Sequence, residues 1–165
     1  MHWYLVHTKP RQEKSALTNL ENQGYDCYLP LLVAEKLRRG SLAHVEEALF
    51  PRYLFIRLGQ EDSSKSWSPI RSTRGVSRLV GFGNDPARVD DELVEHLKLR
   101  ERVANQSIEP LFKAGERVTV TTGPFAGIEG VFQMLDGDQR AMVLIELLSK
   151  RTPLRASPAH LRKVL

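Results

Sequence analysis

The chain has little cysteine and no long apolar run. Cys27 is the only thiol among 165 residues, so neither an internal disulfide nor a cysteine-based zinc site is expected. No apolar segment approaches the roughly 20 residues that a membrane-spanning helix requires. The opening MHWYLVHTKPRQEK lacks the apolar core and small-residue cleavage site of a secretory signal. A membrane protein and a disulfide-stabilised miniprotein are therefore excluded, and we expect a cytoplasmic protein.

The sequence also lacks the motifs that carry catalysis or bind metal. The five histidines are scattered without HExxH or HxH spacing. No GxSxG, Walker A lysine or helix-opening GxGxxG is present. The glycine-rich segment GPFAGIEG lacks GK[ST] and lies between two predicted strands, so turn geometry accounts for its glycines. No enzyme activity, metal site or cofactor is predicted.

Acidic residues are absent from two segments, although the chain as a whole carries only +4. Residues 63–84 hold four basic residues and no acid, and residues 150–165 hold five basic residues and no acid. Such patches are typical of proteins that contact a phosphate backbone. A net charge of +4 by itself favours an ordinary solvated surface, so nucleic-acid binding needs support beyond charge.

The N-terminal two thirds predict an α+β domain with the element order β-α-β-β-β-α, assigned to residues 1–101. Both faces of the strand Arg52–Leu58 carry apolar residues, which predicts an inner strand covered on both sides. The other predicted elements are the strand Trp3–Val6, the helix Pro10–Gln23, the strand Tyr25–Val33, the charged hairpin-like arm Glu35–Glu47, the strand Val76–Phe82 and the helix Asp90–Val103.

The C-terminal third has a different pattern. Residues 102–111 are polar and aperiodic and predict a linker. In residues 112–165, Val118 and Val120 alternate with polar residues before a glycine-punctuated turn, which predicts strands. Further strands are predicted at Val131–Phe132, at Ala141–Leu148 after an Asp136-Gly137 hairpin, and at Leu161–Leu165. A small β-barrel domain is the expected result.

Several stretches carry a family resemblance along nearly the whole chain. The segment GERVTVTTGPFAGIEGVF resembles a KOW motif, and it follows WYLVHTKPRQEKSALTNLENQGYDCYLP, ALFPRYLFIRL and STRGVSRLVGFG. In this combination the chain resembles the NusG family of transcription elongation factors. AEKLRRG, GDQRAM and the terminal LRKVL are most similar to its RfaH subfamily of operon-specific antiterminators.

The resemblance implies a non-enzymatic, monomeric factor with an N-terminal NusG-type α/β sandwich joined to a KOW domain. It implies binding to the clamp helices and gate loop of bacterial RNA polymerase, suppression of pausing and termination, and recruitment by an element in the non-template DNA strand. The KOW domain would contact a ribosomal small-subunit protein. The residues implied in polymerase binding are Phe50, Tyr53, Phe55, Phe82, Leu97 and Ser64. Phe50, beside Pro51, is the expected exposed anchor, whereas core packing accounts equally well for Phe55, Phe82 and Leu97.

The resemblance also implies a DNA surface and an interdomain ion pair. The DNA-binding residues are Lys9, Arg11, Gln12, Arg71, Thr73 and Arg74, and the interdomain pair is Glu47 with Arg140. In the RfaH subfamily the C-terminal domain docks as a helical hairpin on the polymerase-binding face. The segment AMVLIELLSK favours a helix here, whereas Pro124 and the β-branched run Val118–Thr122 favour the barrel. Both forms stay open at this point.

A second function fits the same residues. The chain could be a general nucleic-acid-associated or ribosome-associated KOW module without any role at RNA polymerase. The aromatic residues around Phe50 distinguish the two, because a polymerase factor depends on them and charge-driven nucleic-acid binding does not.

Overall fold

The structure is a computed structural model that describes residues 1–59, 67–83, 85–106 and 127–151. The strands are β1 His2–Thr8, β2 Asp26–Tyr28, β3 Leu31–Arg38, β4 Ser41–Ala48, β5 Tyr53–Leu58, β6 Val76–Leu79, β7 Gly81–Phe82, β8 Asp85–Pro86 and β9 Arg88–Val89. The helices are α1 Glu13–Asn22, α2 Ser68–Arg71, α3 Asp91–Gln106, α4 Ile128–Val131 and α5 Gly137–Arg151. Within these residues, no helix has the length and apolar character needed to cross a membrane.

The central sheet has the strand order β2-β5-β1-β6, with β9 also paired to β1. All pairings are antiparallel, and β1 runs against β5 in unbroken register from His2 opposite Leu58 to His7 opposite Tyr53. The prediction of an inner, doubly covered strand at residues 52–58 is confirmed. Leu54 and Ile56 of β5 point into one apolar core, and Phe55 points into the other.

The two cores lie on opposite faces of this sheet. On one face, α1 and α2 cover the strands through Ala16, Leu20 and Ile70. On the other face, α3 contributes Leu93, Val94 and Leu97, and α4 and α5 pack beside it. The repeating side-chain period of two along β1 and β5 therefore separates the residues of the two cores.

A two-stranded hairpin made of β3 and β4 extends the chain between β2 and β5. Its strands pair from Leu31 opposite Ala48 to Arg38 opposite Ser41. Arg39 and Gly40 connect them with φ values of 52° and 80°, as a two-residue type I′ turn requires. The predicted charged arm at residues 35–47 thus lies in a regular hairpin.

The C-terminal part differs from the sequence prediction. The predicted strands Val131–Phe132 and Ala141–Leu148 and the hairpin at Asp136-Gly137 are wrong, because α4 and α5 occupy these residues. Asp136 Oδ1 accepts a hydrogen bond from the Asp138 amide at 3.0 Å, as an N-cap side chain does. Residues 112–126 and 152–165, including the KOW-like segment up to Ala126 and the predicted closing strand, lie outside the described residues.

The apolar period explains why α5 is helical. Ala141, Leu144 and Leu148 are buried and spaced by three and four residues, which forms one stripe on a helix. From sequence alone the run Ala141–Leu148 also predicts a buried strand, because the surface against which it packs is not known. Farther upstream, α3 continues to Gln106, so the segment predicted as a linker from residue 102 begins within a helix. The division into domains at 101 and 112 stays a prediction.

A substitution at Gly75, the residue before β6, tests how closely this part of the chain packs against α1. Its φ is +95°, and an added Cβ would lie 3.1 Å from the backbone nitrogen of Ala16. We expect Gly75→Ala to lower the free energy of unfolding by about 2–4 kcal/mol, from positive-φ strain and overpacking together. Urea unfolding measures the loss. The matched control Gly40→Ala has φ +80° and no heavy atom within 4 Å, so it incurs strain alone. Equal losses in the two variants would contradict the close packing.

Candidate functional site

The residues predicted to bind polymerase meet in one apolar cluster on the α3 face of the sheet. Phe50, Phe55 and Leu97 are buried there, and Tyr53 and Phe82 pack against them half-buried. The Phe50 and Phe55 rings meet edge to face with their centroids 6.4 Å apart. Ser64 lies outside the described residues.

Phe50 is not the exposed anchor that the sequence predicts. Its side chain is 0% exposed because α4 and α5 cover the cluster. The covering residues are Ile128, Val131, Ala141, Leu144 and Leu148. We define Phe50, Phe55 and Leu97, the residues beneath this cover, as the covered face. The sequence around Phe50 could not reveal this burial, because the covering helices begin at Ile128 and Gly137, far downstream in the chain.

Arg140 and Glu47, the predicted interdomain pair, are in contact. Arg140 Nη2 lies 3.1 Å from Glu47 Oε1, and the Arg140 side chain is 1% exposed. Its Nε donates to the Leu49 carbonyl at 2.7 Å and its Nη1 donates to the Met134 carbonyl at 2.8 Å. One guanidinium thus joins the end of β4, the following residue and the chain before α5. The fork of five N–H donors makes this possible, and lysine could not replace it.

A second polar contact holds α4 to α3. Glu129 is 5% exposed and accepts a hydrogen bond from His96 Nε2, while its Oε2 lies 3.3 Å from Arg100 Nε. The Arg100 guanidinium also lies over the Phe132 ring at 4.2 Å. The sequence does not predict this contact, because Glu129 lies in a glycine-rich segment whose pattern indicates a turn. Only the helical spacing of His96 and Arg100, four residues apart on α3, could have signalled a shared partner.

The predicted DNA-binding residues come from two loops that touch. The Lys9 amide donates to the Gly75 carbonyl at 2.9 Å, and Asn19 Nδ2 donates to the Arg74 carbonyl at 3.0 Å. Lys9, Arg11, Arg71 and Arg74 are exposed, and Gln12 is half-buried. These five form one surface, which we call the basic rim, around the start of α1.

Thr73 does not belong to the exposed part of that rim. It is 6% exposed, its Oγ1 donates to the Pro69 carbonyl at 2.8 Å and it accepts a hydrogen bond from Gln23 Nε2 at 2.8 Å. The hydroxyl is thus used inside the protein, and the predicted DNA contact of Thr73 is not supported by its position. Its hydrogen bonds hold the loop that carries Arg71 and Arg74.

A cleft of about 420 Å³ lies between α5 and the end of the sheet where β1 stops and β5 begins. It is lined by His7, Pro51, Arg52, Tyr53, Asp138, Ala141, Met142, Ile145 and Glu146. The rings of His7 and Tyr53 lie 5.0 Å apart on neighbouring strands. Burial, followed by the positive charges of Arg78 and Arg52, lowers the pKa of His7 below its usual value.

Metal-ligating side chains do not cluster among the described residues. No group of three or more His, Cys, Asp or Glu side chains there could hold a metal ion. Burial raises the pKa of the Cys27 thiol to about 12, with smaller effects from Glu21 and Asp26. Cys27 therefore stays protonated near neutral pH and is a poor nucleophile.

A family model and several curated relatives that match this chain carry the same name. A family model described as "Transcription termination factor nusG" matches residues 1–98. The transcription termination/antitermination protein NusG of Rickettsia bellii is 26% identical over 171 residues, covering 98% of this chain and 89% of the relative. Its namesake from Thermus thermophilus is 28% identical, with 92% of each chain covered. A solved structure described as "Domain interaction in Thermotoga maritima NusG" aligns with TM-score 0.44 and 21% identity, covering 74% of this chain and 67% of the other.

Arg140 provides a direct test of how α5 is held. We expect Arg140→Ala to weaken the docking of α5 by about 3 kcal/mol, because it leaves Glu47 and several carbonyls without their donor. Hydrogen exchange of the α5 amides would then be faster, while the β1 and β5 amides keep their protection.

The matched control for this prediction is Lys14→Ala. The Lys14–Glu46 pair also joins two elements, at 3.3 Å, but its side chains are 69% and 51% exposed. An exposed pair contributes about 1 kcal/mol at most, so exchange in α5 should not change. Unaltered α5 protection in the Arg140 variant would show that apolar packing alone holds the helix.

Proposed function

Because this chain belongs to the NusG family, it is a transcription elongation and antitermination factor, and we propose that its covered face is its binding surface for RNA polymerase. The observation that carries the proposal is the apolar cluster of Phe50, Phe55 and Leu97 beneath α4 and α5. These aromatic and aliphatic side chains come from the β4–β5 connection, the sheet and α3. Buried aromatic anchors of this kind supply most of the energy of protein interfaces.

The proposed partner element is the helical clamp of the polymerase. The covered face already accommodates a helix, since the stripe of Ala141, Leu144 and Leu148 fills it in this structure. A helix of the partner with a similar apolar stripe would use the same side chains, as a helix in a groove does. The polar segment of residues 60–66, with Ser64, is proposed to contact the gate loop on the other side of the DNA channel.

In the form described here the factor would be self-inhibited. The α5 helix and a polymerase helix cannot occupy the same apolar side chains at once. The Arg140–Glu47 pair and the Glu129 contacts with α3 hold α4 and α5 in position. Polymerase binding therefore requires release of these helices, and the factor acts only where release is favoured. This selective loading is the RfaH-type specialisation that we propose.

The basic rim is proposed to select where release happens. Lys9, Arg11, Arg71 and Arg74 are exposed around the start of α1, and Gln12 lies between them. Arginine and lysine bind phosphates and guanine edges, and a glutamine side chain reads adenine edges. An exposed stretch of non-template DNA strand is the proposed ligand. Thr73 is left out of this surface because its hydroxyl bonds inside the loop.

The released C-terminal segment is proposed to form the KOW domain of residues 112–165, which would recruit a ribosomal small-subunit protein. The support is the β-branched run Val118–Thr122, which prefers strands, in the same segment as the α5 helix. We expect Arg140→Ala to reduce the helical far-UV circular dichroism signal and to add strand signal relative to the unaltered chain. An unchanged helical signal, with α5 amides no longer protected, would contradict the refolding.

Polymerase binding gives the main test. We expect the unaltered chain to bind stalled elongation complexes weakly and Arg140→Ala to bind them at least tenfold more tightly, because docking no longer competes. In the Arg140→Ala background, Phe50→Ala should weaken binding roughly 30-fold, the loss of an interface residue worth about 2 kcal/mol. Leu99→Ala on the exposed side of α3 is the matched control and should leave binding unchanged. Binding of single-stranded DNA by each variant checks that it is folded.

Pause lifetime separates this function from that of a KOW module with no polymerase role. In single-round transcription on a template with a known pause, the Arg140→Ala variant should shorten the pause more than the unaltered chain. If neither protein alters pausing on several templates, while the Phe50 variant retains full DNA binding, the nucleic-acid module is the better description.

A further inference from the structure

Two neighbouring turns at one end of the central sheet have the same construction. In Lys9-Pro10-Arg11-Gln12 the last amide donates to the first carbonyl at 3.1 Å, and in Phe50-Pro51-Arg52-Tyr53 the same bond measures 3.0 Å. Arg11 and Arg52, the third residues, have φ values of 63° and 71°. This is the geometry of a type II turn, in which glycine or asparagine normally takes the third position.

An arginine in that position is conformationally disfavoured, because its Cβ crowds the backbone at positive φ. Both arginines are exposed, so neither conformation is compensated by burial of the side chain. Residues held in such conformations concentrate at functional sites. Arg11 belongs to the basic rim, whereas Arg52 lies outside the residues that define it.

Backbone hydrogen bonds join Arg52 to the basic rim. The Thr8 amide donates to the Arg52 carbonyl at 2.8 Å, and the next amide, that of Lys9, donates to the Gly75 carbonyl at 2.9 Å. Across β1, strand pairing places Arg78 directly opposite His7. Arg52, in the turn before β5, and Arg78, on β6, therefore lie on the two sides of His7.

These two arginines are open to solvent and carry unbalanced charge. Both are exposed, and in the part of the chain that the structure describes neither belongs to an ion pair. Their positive charges reach the same imidazole, since both contribute to the lowered pKa of His7. The end of β1 thus carries two exposed positive charges close to the basic rim.

The docked helix α5 brings two carboxylates to this position. Asp138 and Glu146 line the cleft that His7 and Arg52 line from the other side. A phosphate approaching Arg52 would therefore meet negative charge while α5 is docked. After α5 leaves, only the positive side of the cleft would remain.

We propose that Arg52 and Arg78 extend the DNA surface across the end of the sheet and bind phosphates of the same non-template strand, in competition with the acidic residues of α5. The inference rests on the proposed function, because it needs both the basic rim and the docked helix. It adds a direct electrostatic route for that release, through Arg52 and the acidic residues of α5: the phosphates that occupy this end favour the released state, and the docked helix weakens DNA binding.

Single-stranded DNA binding by the full chain tests the proposal. A fluorescein-labelled 30-nucleotide strand of mixed sequence is titrated at several salt concentrations, and anisotropy is measured. Arg52→Asn keeps a residue suited to positive φ, and Arg78→Gln keeps a polar strand residue. Each should weaken binding roughly threefold at low salt and reduce the slope of log K against log salt by about 0.7, as the loss of one phosphate contact predicts. The matched control Arg57→Gln, at the opposite end of β5, should leave both quantities unchanged.

The coupling has its own readouts. The double variant Asp138→Asn, Glu146→Gln should bind the same DNA several-fold more tightly. In the unaltered chain, DNA should raise the pKa of His7 in an NMR titration, because phosphates offset the arginine charges. That rise should be smaller in Arg52→Asn.

The outcomes separate this inference from the proposed function. If Arg52→Asn and Arg78→Gln match the unaltered chain while Arg74→Ala loses affinity, the extension is wrong and the basic rim stands. If Arg74→Ala also has no effect, the DNA surface of the proposed function fails. If the two variants instead weaken binding to polymerase lacking nucleic acid, the arginines serve a protein partner and the inference is overturned. Unchanged DNA binding by the Asp138, Glu146 variant would refute the coupling.

Discussion

The arrangement of this protein depends on the guanidinium of Arg140. It lies inside the protein, 1% exposed, and bonds to the Leu49 carbonyl, to the chain before α5 and to the Glu47 carboxylate. An unpaired charge at this depth would be strongly unfavourable. The helix that carries Arg140 is therefore stable only in the position where the guanidinium meets its acceptors. The apolar stripe of α5 attracts the helix to the sheet but does not fix its position. The guanidinium fixes that position, since its rigid fork of donors matches one set of acceptors.

The covered face combines two requirements that usually conflict. A surface suited to a helical partner must be apolar, and a large apolar surface left open to water promotes aggregation. Here a segment of the same chain covers it, so Phe50 and Phe55 are kept away from water. Glu129, with His96 and Arg100, fixes the other end of the cover. Because polar contacts hold the cover at two separate places, on α3 and near the end of β4, the cover has a defined register on the sheet.

Local patterns predicted the elements whose packing is local. The doubly apolar strand at residues 53–58 and the acid-started helix α3 follow directly from side-chain period and end charges. The fate of Ala141–Leu148 did not, because eight apolar-rich residues suit a strand or a helix until the surface they contact is known. Burial of Phe50 and the partners of Glu129 depend on contacts with distant segments. The family resemblance supplied the Glu47–Arg140 pair, which no spacing or charge pattern in the sequence indicates.

The covering helices and the face they cover belong to one chain, with 20 residues between Gln106 of α3 and Gly127 before α4. A tether of that order gives α5 an effective concentration near its seat of about the millimolar range. If the covered face binds polymerase as proposed, a polymerase present at a thousandth of that concentration must bind correspondingly more tightly to compete. The docked fraction is also independent of how much of the protein the cell makes. Higher expression would therefore raise the number of released molecules only in proportion, and control of activity lies in whatever displaces the helix.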